Sequence, residues 1–373
     1  MHAPSCVMST YEELANSGVA DLGTYEPGRP IEDVARALGF ENADDIIKLA
    51  SNENALGPSP RASAAIKAFA QEVHEYPDGG TFRLREALAQ HLDVDPEMVL
   101  PGNGSNELIE LLGHVFLAPG RNIVMADHAF IVYRLIAACF GADVRSVPMQ
   151  AFTHDLDAMG DAIDTDTRLV FVANPNNPTG THVQRDSITR FMERVPEHVV
   201  VCFDEAYIEL LAPSDQPDTL GYVREGRKVI VLRTFSKTYG LAGLRVGYGV
   251  APPDCIQLLN RVRQPFNVNQ VAQVAACAAL EDSGHVERTR EMIRDGLAAL
   301  EAGFATLGLQ WIPSCVNFML VKVGDGQRVF KGLLREGVIV RPMRVYGLPE
   351  YIRVSVGTGP ENEKFLATLK KVL

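Results

Sequence analysis

The feature that most constrains this chain is a rhythm in its middle. Short apolar runs rich in β-branched residues recur at Ile123–Ala126, Leu169–Ala173, Val199–Asp204 and Val229–Leu232. They show no polar alternation, which predicts strands buried on both faces, as in a parallel sheet. Between them lie longer segments with helical spacing, such as Ser105–Leu117, Phe130–Cys139 and Arg185–Arg194. Strand-helix-strand repetition predicts an α/β layered fold with right-handed crossovers. Open sheets of this kind bind ligands beyond the carboxyl ends of their strands. The loops after these strands are therefore where chemistry is expected.

The two ends of the chain lack that rhythm. Residues 1–45 hold Gly18, Gly23, Pro27, Gly28 and Pro30, and read as an N-terminal arm that joins part of a smaller domain. A long polar helix, Val286–Leu307, follows near Asp282. After it come predicted strands at Phe318–Lys322, Val338–Arg341 and Ile352–Val356, and a closing helix at Glu361–Val372. The expected organisation is a large domain over residues 46–280 and a small α+β domain over residues 281–373, bridged by a helix at Val268–Leu280. A chain of 373 residues is long enough for both.

Charge and cysteine usage exclude several functions. The formal net charge of −12 argues against a nucleic-acid partner, which clustered Lys and Arg would bind. No stretch reaches the ~18 apolar residues that span a bilayer, so no membrane association is expected. The N-terminus carries no basic-then-apolar leader pattern. The six cysteines are scattered, form no CxxC, and read as free thiols of a cytoplasmic protein. The nine histidines show no paired ligand spacing, and no metal is expected.

Four loops carry polar groups at predicted strand ends. Pro101-Gly-Asn-Gly-Ser-Asn-Glu107 leads into a helix, whose exposed N–H groups and dipole suit a phosphate. By itself such a turn is more often a structural device. Asn174-Pro-Asn-Asn-Pro-Thr-Gly180 holds Asn177 rigidly, though the same residues make plain turns. Asp204-Glu-Ala-Tyr207 puts a carboxylate at the end of a buried run, where it needs a partner: a helix N-terminus or a cationic ligand. Thr234-Phe-Ser-Lys-Thr-Tyr-Gly-Leu-Ala-Gly-Leu-Arg245 sets Ser236, Lys237 and Arg245 in a glycine-rich segment. A lone lysine there would ordinarily be solvated.

Together, in this order and approximate spacing, the loops resemble those of the aminotransferases that use pyridoxal 5'-phosphate (PLP) and share the aspartate aminotransferase fold. The resemblance covers nearly the whole chain. It implies a large domain with a mostly parallel seven-stranded sheet covered by helices (PLP-dependent transferase fold type I), plus the smaller α+β domain. It implies that Lys237 carries the cofactor as a Schiff base and shuttles the reaction's proton. By the same resemblance Asp204 pairs with the pyridine nitrogen, and Asn177 and Tyr207 bond the ring's phenolic oxygen. The phosphate is assigned to Ser236, Arg245 and the N–H groups of Gly104 and Ser105, and Asn106 and Thr234 are further cofactor-binding positions. Phe130 is placed on the ring, with Tyr133 as a neighbour.

Further segments resemble the histidinol-phosphate aminotransferases in particular: Glu75-Tyr-Pro-Asp78, Ser51-Asn-Glu-Asn54, Arg263-Gln-Pro-Phe-Asn-Val-Asn269, Gly337-Val-Ile-Val-Arg-Pro342 and Tyr351-Ile-Arg-Val-Ser-Val-Gly-Thr358. That resemblance implies transamination of histidinol phosphate with 2-oxoglutarate, giving glutamate. It implies a homodimer with shared sites, in which Tyr76 reaches the partner's cofactor phosphate. Arg353, with Arg341, would grip the substrate's anionic group, and Tyr25 would contact its far end. Two departures bear on the substrate pocket. Ala55-Leu56 stands where many members have a tyrosine, and Arg344 adds a cation where small residues are common. An aromatic amino-acid aminotransferase and, beyond it, a PLP-dependent decarboxylase of amino-acid phosphates remain as alternatives, because a hydrophobic slot separates similar rings weakly.

Overall fold

The computed structural model describes Tyr11, residues 15–20, Leu22, residues 31–39, Asn42 and residues 45–373. Its largest layer is a sheet of seven strands. In chain order the first strands are β1 (Ile47–Lys48), β2 (Val99–Gly102), β3 (Asn122–Ala126), β4 (Asp143–Val147), β5 (Thr167–Ala173), β6 (Val200–Asp204), β7 (Val229–Thr234) and β8 (Gly247–Val250). The seven-stranded sheet runs β2-β8-β7-β6-β5-β3-β4. Neighbours from β7 to β4 are parallel, and β8 is antiparallel to both its neighbours.

The strand sequences explain this order. β5 and β6 lie inside the sheet, and apolar clusters cover both faces. Val170, Val172, Val201 and Phe203 point to one cluster, and Leu169, Phe171 and Cys202 to the other. Each fully buried large side chain of this kind contributes about 1.5–3 kcal/mol. β4 is an edge strand, mostly exposed, and its Asp-Val-Arg-Ser-Val sequence carries no apolar run to find. β8 is also hidden, because two of its four residues are glycines. Gly247 is required there: a Cβ would lie 2.6 Å from the Ser105 backbone nitrogen and 2.8 Å from the Arg233 carbonyl oxygen. The close approach seats the start of helix Gly104–Phe116 on the end of the sheet.

The remaining strands are β9 (Gln310–Ile312), β10 (Phe318–Lys322), β11 (Val338–Ile339), β12 (Arg341–Pro342) and β13 (Tyr351–Ser355). A four-stranded sheet runs β12-β13-β10-β9, antiparallel throughout. Helices Ser283–Thr306, Gly326–Arg335 and Gly359–Val372 accompany it, with Leu300, Phe304, Val329, Leu333, Phe365 and Leu369 in a separate core. The expected single strand Val338–Arg341 is two. β11 pairs in parallel with β1, and the chain then crosses to pair β12 with β13. An apolar run declares burial, not which partner it will take. Two helices also begin two residues later than expected: Val132–Cys139, which leaves Phe130 in the preceding loop, and Gln270–Leu280. The five cysteines of the described residues are free, and no helix among those residues is long and apolar enough to cross a membrane.

Candidate active site

The carboxyl ends of β5, β6 and β7 open into a cavity of about 430 Å³, closed on its other side by residues 50–53 and by β12 and β13. Asp204 ends β6 and is 5% exposed. Its Oδ2 accepts a 2.6 Å hydrogen bond from the Tyr133 hydroxyl, and its Oδ1 a 3.3 Å bond from the Ala206 N–H. Burial raises the Asp204 carboxyl to about 6, opposed by those two donors. Tyr133 is fully buried, with its ring stacked on Phe171 at 4.4 Å. Its own phenol is pushed well above the usual range by burial and by Asp204, so it stays a donor.

Lys237 lies three residues beyond β7. Its Nζ donates to the Ser51 carbonyl at 3.2 Å and sits 5.6 Å from the centre of the Tyr207 ring. Burial, then the guanidiniums of Arg353 and Arg245, lower its amine to about 7, against Glu53 and Asp204. A large fraction of Lys237 is therefore neutral, and nucleophilic, near neutral pH.

One end of the cavity is built for an anion. Helix Gly104–Phe116 starts there, and Ser105 and Asn106 line the wall. Thr234 Oγ1 and Ser236 Oγ lie beside them, 2.9 Å apart. Arg245 lines the same wall, and a Cβ on Gly104 would lie 2.8 Å from its Nη2 and push the guanidinium aside; the Gly104 φ of 73° also favours glycine. The other end carries a pair of cations. Arg353 on β13 donates to Asn177 Oδ1 at 2.5 Å and to the Ala50 carbonyl at 2.9 Å. Arg341 on β12 stands opposite Arg353 in the strand register, and both line the cavity.

Thirteen of the expected residues thus meet in one cavity: Ser105, Asn106, Phe130, Tyr133, Asn177, Asp204, Tyr207, Thr234, Ser236, Lys237, Arg245, Arg341 and Arg353. Gly104 lies directly behind the wall, against Arg245. Tyr76 is elsewhere: it is 84% exposed and stacks on Phe266 at 4.9 Å. Tyr25 lies outside the described residues. The cavity also includes Asn52, Glu53 and Tyr346, to which sequence reasoning assigns no role. The Ser51–Asn54 segment signals its importance only as a motif. Tyr346 carries no signal, since only the fold of the small domain brings it to the cavity. Among the described residues no cluster of His, Cys, Asp or Glu is placed to hold a metal ion.

The comparisons with known proteins agree with this geometry. The model of the family described as "Aminotransferase class I and II" matches residues 44–369. A histidinol-phosphate aminotransferase of Akkermansia muciniphila is 52% identical, covering 97% of this chain and 99% of the relative. A histidinol-phosphate aminotransferase 2 of Pseudomonas fluorescens is 50% identical, covering 96% and 97%. The crystal structure of the histidinol-phosphate aminotransferase of Sinorhizobium meliloti, in complex with pyridoxal-5'-phosphate, superposes with a TM-score of 0.87 at 28% identity, covering 95% of this chain and 96% of that one. The match runs through every strand of the large sheet and every wall of the cavity, and the chain belongs to the aminotransferase class I and II family, PLP-dependent enzymes of fold type I.

Proposed function

We propose that this protein transfers an amino group from histidinol phosphate to 2-oxoglutarate, giving imidazole acetol phosphate and glutamate in histidine biosynthesis. The observation that carries the reading is the pair Arg341 and Arg353, in register on neighbouring strands and both lining the cavity. A phosphate monoester carries a charge of about −1.5 to −2 near neutral pH and accepts from several donors at once. Two guanidiniums match it better than one carboxylate would need. The names of the relatives at 50% and 52% identity support the same substrate.

The residues present fit PLP. Ser105, the backbone at Gly104, Asn106, Thr234, Ser236 and Arg245 would hold its phosphate. Asp204 would pair with the ring nitrogen, Asn177 and Tyr207 with the phenolic oxygen, and Phe130 would lie on the ring. Lys237 would hold the cofactor covalently. When bound, PLP supplies an electron sink for the pair left on carbon when a proton departs. The chain's own residues do the rest. Asp204, buried and backed by Tyr133, presents a carboxylate to the ring nitrogen and so favours a proton there. Arg341 and Arg353 orient the substrate by its anionic end. The Lys237 amine, held near neutrality, takes the proton from the amine-bearing carbon of the substrate.

The fold brings Tyr76 to an exposed surface beside Phe266, away from its own chain's cavity. The reading assigns it to the cofactor phosphate of a partner subunit, in a cytoplasmic homodimer with shared sites. Hybrid dimers of Lys237→Ala and Tyr76→Ala chains should then regain one intact site and exceed the average of their parents. Steady-state rates with histidinol phosphate and with phenylalanine, each against 2-oxoglutarate, test the substrate. Histidinol phosphate should have the higher kcat/KM. A preference for phenylalanine would make the protein an aromatic amino-acid aminotransferase instead.

A further inference from the structure

Asn52, in the Ser51–Asn54 segment, lines the cavity and has no task in the proposed chemistry. It is 1% exposed and has a left-handed backbone, with φ of 55°. All of its polar groups are engaged. Its N–H donates to Ser355 Oγ at 2.9 Å, and Ser355 Oγ donates to Asn52 Oδ1 at 3.2 Å. Its Nδ2 donates to the Tyr207 hydroxyl at 3.0 Å, and its carbonyl accepts from Asn317 Nδ2 at 3.0 Å. Ser355 lies on β13, two residues beyond Arg353. Asn52 therefore joins the strand that carries the anion-binding arginine to a phenol in the wall of the cavity.

The direction of these bonds matters. The Asn52 amide could in principle be turned over. That would aim two donors at Ser355 Oγ and remove the acceptor its own buried O–H has here. With the amide as it stands, the Asn52 N–H, the Asn52 Nδ2 and the Ser355 hydroxyl each meet an acceptor. Tyr207 Oη then receives a hydrogen bond, so its own hydrogen is directed away from Asn52, toward the cavity that Tyr207 lines.

We infer that Asn52 and Ser355 are positioning residues that hold the Tyr207 hydroxyl as a donor aimed into the cavity. Ser355 fixes the Asn52 amide, the amide donor fills the lone pair of Tyr207, and the phenol's hydrogen is left for the oxygen of a bound ring. The inference rests on the reading that Tyr207 bonds the phenolic oxygen of PLP. A donor aimed at that oxygen favours its anionic form. Through Ser355 the same relay ties the phenol to the strand of Arg353, so the small domain helps to set a bond made by the large one.

Asn52→Asp tests the direction. Aspartate tolerates the left-handed backbone and has nearly the same shape. Arg353 donates to the carbonyl of Ala50, two residues before the position, and its fixed charge favours an ionised carboxylate. An acceptor then replaces the donor, and the Tyr207 hydrogen turns back toward residue 52. Two readouts apply to the holoenzyme without turnover: the dissociation constant of PLP, and the pH midpoint of the visible absorption of the bound cofactor. Lys237, Asp204, Glu53 and Arg353 also face this site and are unchanged in the comparison.

Tyr207→Phe should raise the dissociation constant about tenfold and move the midpoint up by about one pH unit, since a hydrogen bond to a charged group is lost. Asn52→Asp should do the same, and should add nothing further in the Tyr207→Phe background. Ser355→Ala should give a smaller shift in the same direction, and Ser355→Thr should restore it. If Asn52→Asp does not fold, the Ser355 pair carries the test alone. If Tyr207→Phe moves both readouts and neither Asn52→Asp nor Ser355→Ala does, the relay is wrong and the role of Tyr207 stands. If Tyr207→Phe moves neither readout, the reading of Tyr207 falls, and the relay with it.

Discussion

Asp204 and Glu205 are neighbours in the chain, both withdrawn from water, and they look to opposite sides of one strand end. Glu205 is 0% exposed and fully matched. Arg233 meets its Oε2 with Nη2 at 2.8 Å and Nε at 2.9 Å, and Thr219 donates to its Oε1 at 2.5 Å. Asp204 has a phenol and a backbone N–H, and among the described residues it makes no ion pair. Burial raises both carboxyls, and in Glu205 the Arg233 charge opposes the shift most strongly. The difference teaches how to tell a structural acid from a working one. The first is completed inside the protein. The second is oriented by neutral donors and left for a cation that the fold does not supply.

That comparison can be broken in graded ways. The largest effect belongs to Lys237, which shares the cavity with Asp204. Lys237→Ala should abolish measurable transamination and the visible absorption of bound cofactor, with the fold intact by circular dichroism. Asp204→Asn should come next. It keeps the shape but loses the charge that favours a proton on the ring nitrogen, and kcat should fall about 10²–10⁴-fold with little change in the denaturant midpoint. Glu205→Gln should do the reverse. Leaving Arg233 buried without its partner should cost about 3–5 kcal/mol of stability, read as a lower denaturant midpoint, while kcat per folded molecule stays within about twofold. Replacing the pair together, as Glu205→Leu with Arg233→Met, should recover much of that loss. If Glu205→Gln instead lowers kcat as Asp204→Asn does, the division between the two acids is wrong.

The smallest effect is one of pH. Only the neutral amine attacks an aldehyde, and Lys237 is lowered to about 7. The rate at which cofactor-free protein recaptures PLP should therefore rise with pH, reach half its maximum near pH 7, and level off above. A rise that continues toward the ordinary lysine range, near pH 10, would mean that the site does not depress Lys237.

Much of this is legible in the amino-acid sequence. Four interior strands announce themselves as apolar runs, because burial on both faces demands it. The loops after them carry Asn177, Asp204, Tyr207 and Lys237, because open sheets place chemistry there. What stays hidden depends on distance along the chain or on the absence of a side chain. Asn52 meets Ser355 across 303 positions, and no local pattern encodes that pairing. Tyr133 is expected as a neighbour of the ring, yet the bond it makes is to Asp204, 71 positions away. Gly247 and Gly249 form a strand whose sequence looks like a turn, because their task is to admit the helix start and neighbouring side chains. The ion pair of Glu205 with Arg233, 28 positions away, is likewise encoded by no local pattern.

Every role assigned to the cavity depends on the cofactor being anchored where Lys237 stands. The purified protein, reduced with borohydride in the presence of PLP, digested and mapped by mass spectrometry, tests that directly. The account predicts one modified peptide, the one that contains Lys237, with the mass of the reduced cofactor on that lysine. A modification on another lysine, or none while transamination proceeds, would contradict it.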